Sequence, residues 1–139
     1  MFAASLADDA NVGTWKLNEA KSKIPAGAMK NTSVVYTAEG DSYKCVTEGV
    51  DGKGEPTHTE WTGKFDGKDY PVTGDSNADS RSLQKVDDHH YKLANKKDGK
   101  SVVTGSVAFG ADGKVRTLKT ESKNAEGKKV SSTAVYDKQ

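Results

Sequence analysis

His58 and Glu60 stand two apart in the segment Thr57 to Phe65. In an extended chain that spacing puts both side chains on one face. A carboxylate can there orient an imidazole for general acid–base work. Asp69 beside Tyr70 offers a carboxylate and a phenol. Either pair would suit a small hydrolase or isomerase acting within an enclosed cavity. Lys64 shares the face of His58 and Glu60, while Trp61 and Phe65 take the opposite one, so the pair reads better as part of a solvated outer surface. His89 and His90 are adjacent and face opposite ways in a strand, and no His-x-His or Cys-x-x-Cys spacing supports a metal site. Asp75-x-Asn77-x-Asp79 opens like a calcium loop. Ser80 stands where the turn glycine belongs, and Val86 where the closing carboxylate belongs, so an Asx-rich turn is the better reading. Cys45 has no readable cationic neighbour or helix terminus and reads as an inert thiol. No Gly-x-Ser-x-Gly elbow occurs. The remaining constellation is aromatic. Tyr36, Tyr43, Trp61, Phe65 and Tyr91 could wall a small-molecule site, with Arg81 or His89 anchoring a polar group. The same rings serve equally as core filling.

What would position them is an antiparallel meander. Asp51-Gly52-Lys53, Asp66-Gly67-Lys68, Asp98-Gly99-Lys100, Asp112-Gly113-Lys114 and Glu126-Gly127-Lys128 punctuate the chain, with Glu39-Gly40-Asp41 as a further turn. Glycine accepts the positive φ of a tight hairpin, and a neighbouring Asp adds a local hydrogen bond. Strands are expected at Val12 to Leu17, Thr32 to Ala38, Ser42 to Val50, Thr57 to Phe65, Asp69 to Thr73 and Ser80 to Val86. Further strands are expected at His89 to Lys97, Lys100 to Phe109, Val115 to Ser122 and Lys129 to Asp137. Asn18 to Lys30 reads as a long loop with a short helical turn at Glu19 to Lys23. A twisted meander of this length closes to remove its edges. The expected fold is therefore all-β, an antiparallel up-and-down barrel of about eight to ten strands.

Composition agrees with a curled sheet. The 139 residues are one domain's worth, and only 33% are hydrophobic. Mean hydropathy is -0.79, too low for a thick solid core. Lys and Arg total 21 against 20 Asp and Glu, a net charge of +1 with no basic tract, so nucleic acid is not an expected partner. No apolar run approaches the ~20 residues that span a bilayer as a helix. A single Cys excludes an internal disulfide. Residues 1–7, ending Ser5-Leu6-Ala7, read as the remnant of a secretory signal, with residues 8–139 as the mature domain in a secreted or periplasmic setting. No cofactor motif is evident, and a monomer or weak homo-oligomer is expected.

Gly13-Thr14-Trp15 at the start of the first strand resembles the Gly-x-Trp signature of lipocalins and their calycin relatives. That resemblance implies a Trp closing one barrel end under a basic side chain from a late strand, here Arg116 or Lys138. Gly13 to Asn18, Asp66 to Gly74 and Val135 to Gln139 are also similar to segments of small exported bacterial proteins of lipocalin-like type whose function is uncharacterised. The resemblance implies a fold more than a function; the aromatic set within a barrel gives the first functional reading, an exported binding protein holding a small, partly apolar ligand inside it. The enzyme built on His58 and Glu60, or on Tyr70 and Asp69, is the alternative.

Overall fold

The computed structural model describes residues 8–123 and 126–139, so the signal reading at residues 1–7 lies outside the described residues. The strands are β1 (Gly13–Leu17), β2 (Lys30–Glu39), β3 (Ser42–Val50), β4 (Pro56–Gly63) and β5 (Tyr70–Thr73). They continue as β6 (Ser80–Asp87), β7 (His90–Lys97), β8 (Lys100–Phe109), β9 (Val115–Lys123) and β10 (Lys129–Lys138). Each pairs antiparallel with its sequence neighbours, and β1 pairs with β10 to close a barrel of ten strands. The seam sets Trp15 opposite Lys138 and Leu17 opposite Tyr136. Gln139 N extends it by donating to Thr14 O at 2.9 Å. The all-β, up-and-down barrel expected from the turn spacing is the fold.

The turns work as their residues dictate. At the β7–β8 hairpin Asp98 (φ 52°) and Gly99 (φ 81°) both take positive φ, the conformation whose twist matches that of paired strands. Asp51, Asp66 and Asp112 each accept a backbone N–H two residues on, from Lys53 at 2.8 Å, Lys68 at 3.0 Å and Lys114 at 3.0 Å. The turn after Asn18 is a single 3-10 turn at Glu19–Lys21, capped by Asn18 Oδ1 accepting from Lys21 N at 3.2 Å.

One boundary departs from the expected segments in a way that matters. β4 ends at Gly63 rather than Phe65. A Cβ at Gly63 would sit 2.6 Å from both the Trp61 and Tyr70 rings, so the glycine lets those rings close over it. The chain then leaves the sheet, and Phe65 turns into the end of the barrel.

That end is filled with rings. Phe65 stacks on Tyr43 (centroids 4.0 Å apart, 11°) and meets Tyr36 at 6.0 Å, Tyr91 at 5.4 Å and Trp61 at 6.3 Å. Tyr91 continues to Phe109 at 5.5 Å, and Phe109 to Trp15 at 5.6 Å. The segment before β1 crosses the same end. Asp9 takes hydrogen bonds from the Tyr91 hydroxyl and from Lys85 Nζ at 3.3 Å, and Asn11 is fully buried. The opposite end is built otherwise. There the inward positions of β7 to β10 are Asn95, Val103, Gly105, Thr120, Ser122, Val130 and Ser132, all only half-buried.

Candidate functional site

The chain holds two arginines against nineteen lysines. Both arginines are buried, Arg81 at 8% and Arg116 at 2% exposure, and no lysine is. Each occupies an inward position because it alternates with core residues, Arg81 with Leu83 on β6 and Arg116 with Leu118 on β9. Arg81, near the start of β6, lies toward the end opposite the rings, and Arg116, near the start of β9, toward the ring-filled end. Between them lie Tyr36 and Cys45, cross-strand partners on β2 and β3.

The electrostatics identify this as a positive centre. Burial pushes the Tyr36 hydroxyl and the Cys45 thiol well above their ordinary pKa, and both guanidiniums act against that rise. Tyr136 is pushed up to about 12 by burial, opposed by Arg116. Arg116 lies 5.5 Å from the Tyr36 ring centroid and 5.7 Å from that of Tyr136. Its Nε donates to Asn11 Oδ1 at 3.0 Å, and Trp15 Nε1 donates to Asn11 O at 3.1 Å. Lys138 is the base that lies over Trp15, its Nζ 5.7 Å from the ring. Of the two late-strand candidates, then, Lys138 covers the tryptophan, while Arg116 reaches it through Asn11.

Arg81 has one anchor of its own. Its Nε donates to Asn95 Oδ1 at 2.8 Å. Among the described residues no carboxylate pairs with either arginine. A buried charge without a counter-charge is costly, so its retention calls for a reason. Beyond Arg81, away from the rings, the wall is hydroxylated. Thr47 and Thr59, both buried, share a hydrogen bond, and Thr120 Oγ1 lies 2.6 Å from Ser132 Oγ.

No protein-family model matches the chain, and no curated protein matches it. A solved structure does. The chain is similar to EF1p2_mFAP2b bound to DFHBI, with 10% sequence identity over 96% of this chain and 97% of that one, at a TM-score of 0.52. At that identity the likeness is one of fold.

The other residues singled out from the sequence fall in several places. Tyr36, Tyr43, Trp61, Phe65 and Tyr91 come together in the ring cluster, and Trp61 Nε1 donates to the Arg81 carbonyl at 3.0 Å. Aromatic set and anchoring arginine are thus neighbours. His89 is exposed in the β6–β7 turn, its N–H bonded to Asp87 Oδ1 at 2.8 Å, beside a shallow surface hollow with Asp88 and Phe109. His58 and Glu60 do meet, Nε2 to Oε2 at 3.0 Å, with Glu48 Oε1 on the other ring nitrogen at 2.7 Å. They sit on the outer face of β4, with Lys44 3.4 Å from Glu60. Those two carboxylates raise the imidazole pKa, the Glu60 bond first. Asp69 and Tyr70 part company: Asp69 takes Lys96 Nζ at 2.9 Å, and Tyr70 donates to Asp66 Oδ2 at 2.8 Å.

One concave surface lies outside the barrel. A depression of about 640 Å³ spans the outer faces of β6 to β10, across Gln84, Lys92, Ser106, Lys119 and Thr133 in one cross-strand row. Asn11 and Asn95, which hold the two guanidiniums, are the functional residues that the sequence did not reveal. Asn95 carried one signal: it alternates with Tyr91 and Leu93 on β7 and so must face inward.

Proposed function

We propose that this chain is an exported, lipocalin-like binding protein that holds a small, partly apolar molecule inside its barrel, at the end opposite the ring cluster. The asymmetry of the interior carries this reading. One end is packed ring on ring and crossed by the segment before β1. The other is lined on β7 to β10 by short residues, most of them polar, that remain half-buried although they point inward. A site with apolar walls and a few convergent polar groups is the usual form of a small-molecule pocket. Here Trp61 and Tyr36 would supply the apolar floor, and Arg81 with Asn95 the polar groups. The solved structure of similar fold, described as bound to DFHBI, gives this architecture a precedent for holding a small molecule.

Acid–base catalysis finds less support. The one imidazole–carboxylate contact among the sequence candidates is on the outer surface, where no wall excludes water.

Titration with the neutral dye phenylnaphthylamine, followed by Trp fluorescence and melting temperature, tests the reading. Trp61 reports because its indole is bonded to the Arg81 backbone. Saturable binding of about one dye per chain with a rising Tm is expected. A linear, non-saturating signal with an unchanged Tm would count against it.

A further inference from the structure

We infer that the ligand carries a carboxylate, which docks end-on against the guanidinium of Arg81 within the barrel; this rests on the binding reading above. Three observations converge on it.

The first is the missing counter-charge. Arg81 and Arg116 are both more than nine-tenths buried, and neither pairs with a carboxylate among the described residues. Two like charges share one interior, and burial raises the pKa of Tyr36 and Cys45, which both guanidiniums act on, and so favours their neutral forms. The buried carboxylate of Asp9 is bonded to Tyr91 and Lys85, and no group described inside the barrel pairs with the two guanidiniums to offset their charge. A bound anion would.

The second is the choice of side chain. Nineteen lysines serve the surface, and the two arginines are reserved for the interior. A lysine would supply charge alone. The planar fork of arginine supplies a two-oxygen acceptor with matched donors.

The third is the geometry of what remains free. Asn95 Oδ1 occupies the Nε edge of Arg81. The side-on approach is thereby taken, and the end of the fork, with its two terminal nitrogens, is left. A planar carboxylate fits that end with two parallel bonds, while a tetrahedral phosphate would leave oxygens without donors. Arg116 is in a different position. It is sealed between the Tyr36 and Tyr136 rings and held by Asn11 at the closed end. It adds positive potential, and Arg81, on the side away from the rings, makes the contact. The hydroxyls of Thr59 and Thr120 would then line the way in, and the apolar part of the ligand would lie toward Trp61.

Because the chain has two arginines, its spectrum of arginine Nε–Hε groups contains two signals, which Arg116→Lys assigns. Phenylbutyrate, its neutral amide phenylbutyramide and inorganic phosphate are titrated at matched ionic strength into the unaltered protein. The carboxylate should shift the Arg81 signal saturably and bind about tenfold or more tightly than the amide, the range expected for a hydrogen bond to a charged group. Arg81→Gln should abolish that preference, so that the acid and the amide bind alike. Equal affinity for acid and amide would overturn the carboxylate assignment and leave the binding reading standing. So would tighter binding of phosphate than of carboxylate, or a saturable shift confined to Arg116. Failure of every probe, the neutral dye included, would overturn both. The wild-type titration decides the matter even if Arg81→Gln does not fold.

Discussion

Cys45 shows how local surroundings override a residue's intrinsic chemistry. Its thiol is 1% exposed, and burial raises its pKa, so the reactive thiolate is scarce at neutral pH. Alkylation by iodoacetamide should therefore run at the rate of global unfolding and accelerate in step with added urea. Rapid labelling in native buffer would contradict the packing. His58 behaves in the opposite sense. Hydrogen bonds donated by its ring to Glu60 and Glu48 favour its charged form and raise its pKa above 6.5. A raised histidine pKa means a stabilising contribution that is complete below the unfolded value and fades as pH rises through the folded one. Glu60→Gln should lower the His58 midpoint in an NMR titration toward its ordinary value. An unchanged midpoint would show that the contact is not formed in solution. The sequence placed His58 and Glu60 on one face correctly, because strand alternation is strict. It could not show Glu48 as the third partner, since that neighbour depends on the register of β3 against β4.

At the scale of elements, glycines decide where strands can bend and touch. Gly49 on β3 faces Lys30 and Asn31 across the sheet, and a Cβ there would lie 2.1 Å from Lys30 O. The obstruction is backbone, which a rotamer change cannot relieve. Gly49→Ala should force β2 and β3 apart and lower stability by about 1–3 kcal/mol in urea melts, the range for overpacking. Loss below a few tenths would show that the sheet yields there. Phe65 teaches the complementary lesson. Alternation assigned it to a strand, and its inward direction was legible. Its departure from the sheet was not, because the cause is the crowding of Trp61 and Tyr70 around Gly63. As the hub of the ring cluster, Phe65→Ala should cost about 3 kcal/mol or more. A near-neutral change would mean that the rings are not packed as described.

The whole molecule resolves a shortage of apolar residues by spending them unevenly. Turn spacing made the barrel legible, since Asp-Gly pairs and alternation fix a meander whatever fills it. The two-ended interior was not legible, because alternation tells inside from outside but not one end from the other. Rings gather where β2, β4, β6, β8 and β10 finish, and hydroxyls where they begin, with the two arginines between. That arrangement makes the interior, rather than the broader depression on the outer face, the proposed place for a ligand. Mapping backbone amide shifts during a phenylbutyrate titration compares the two places directly. The account predicts saturable shifts at inward positions, Thr59, Arg81, Asn95 and Thr120, with Lys92, Ser106 and Lys119 undisturbed. Shifts concentrated on that outer row, with the inward residues unmoved, would contradict it.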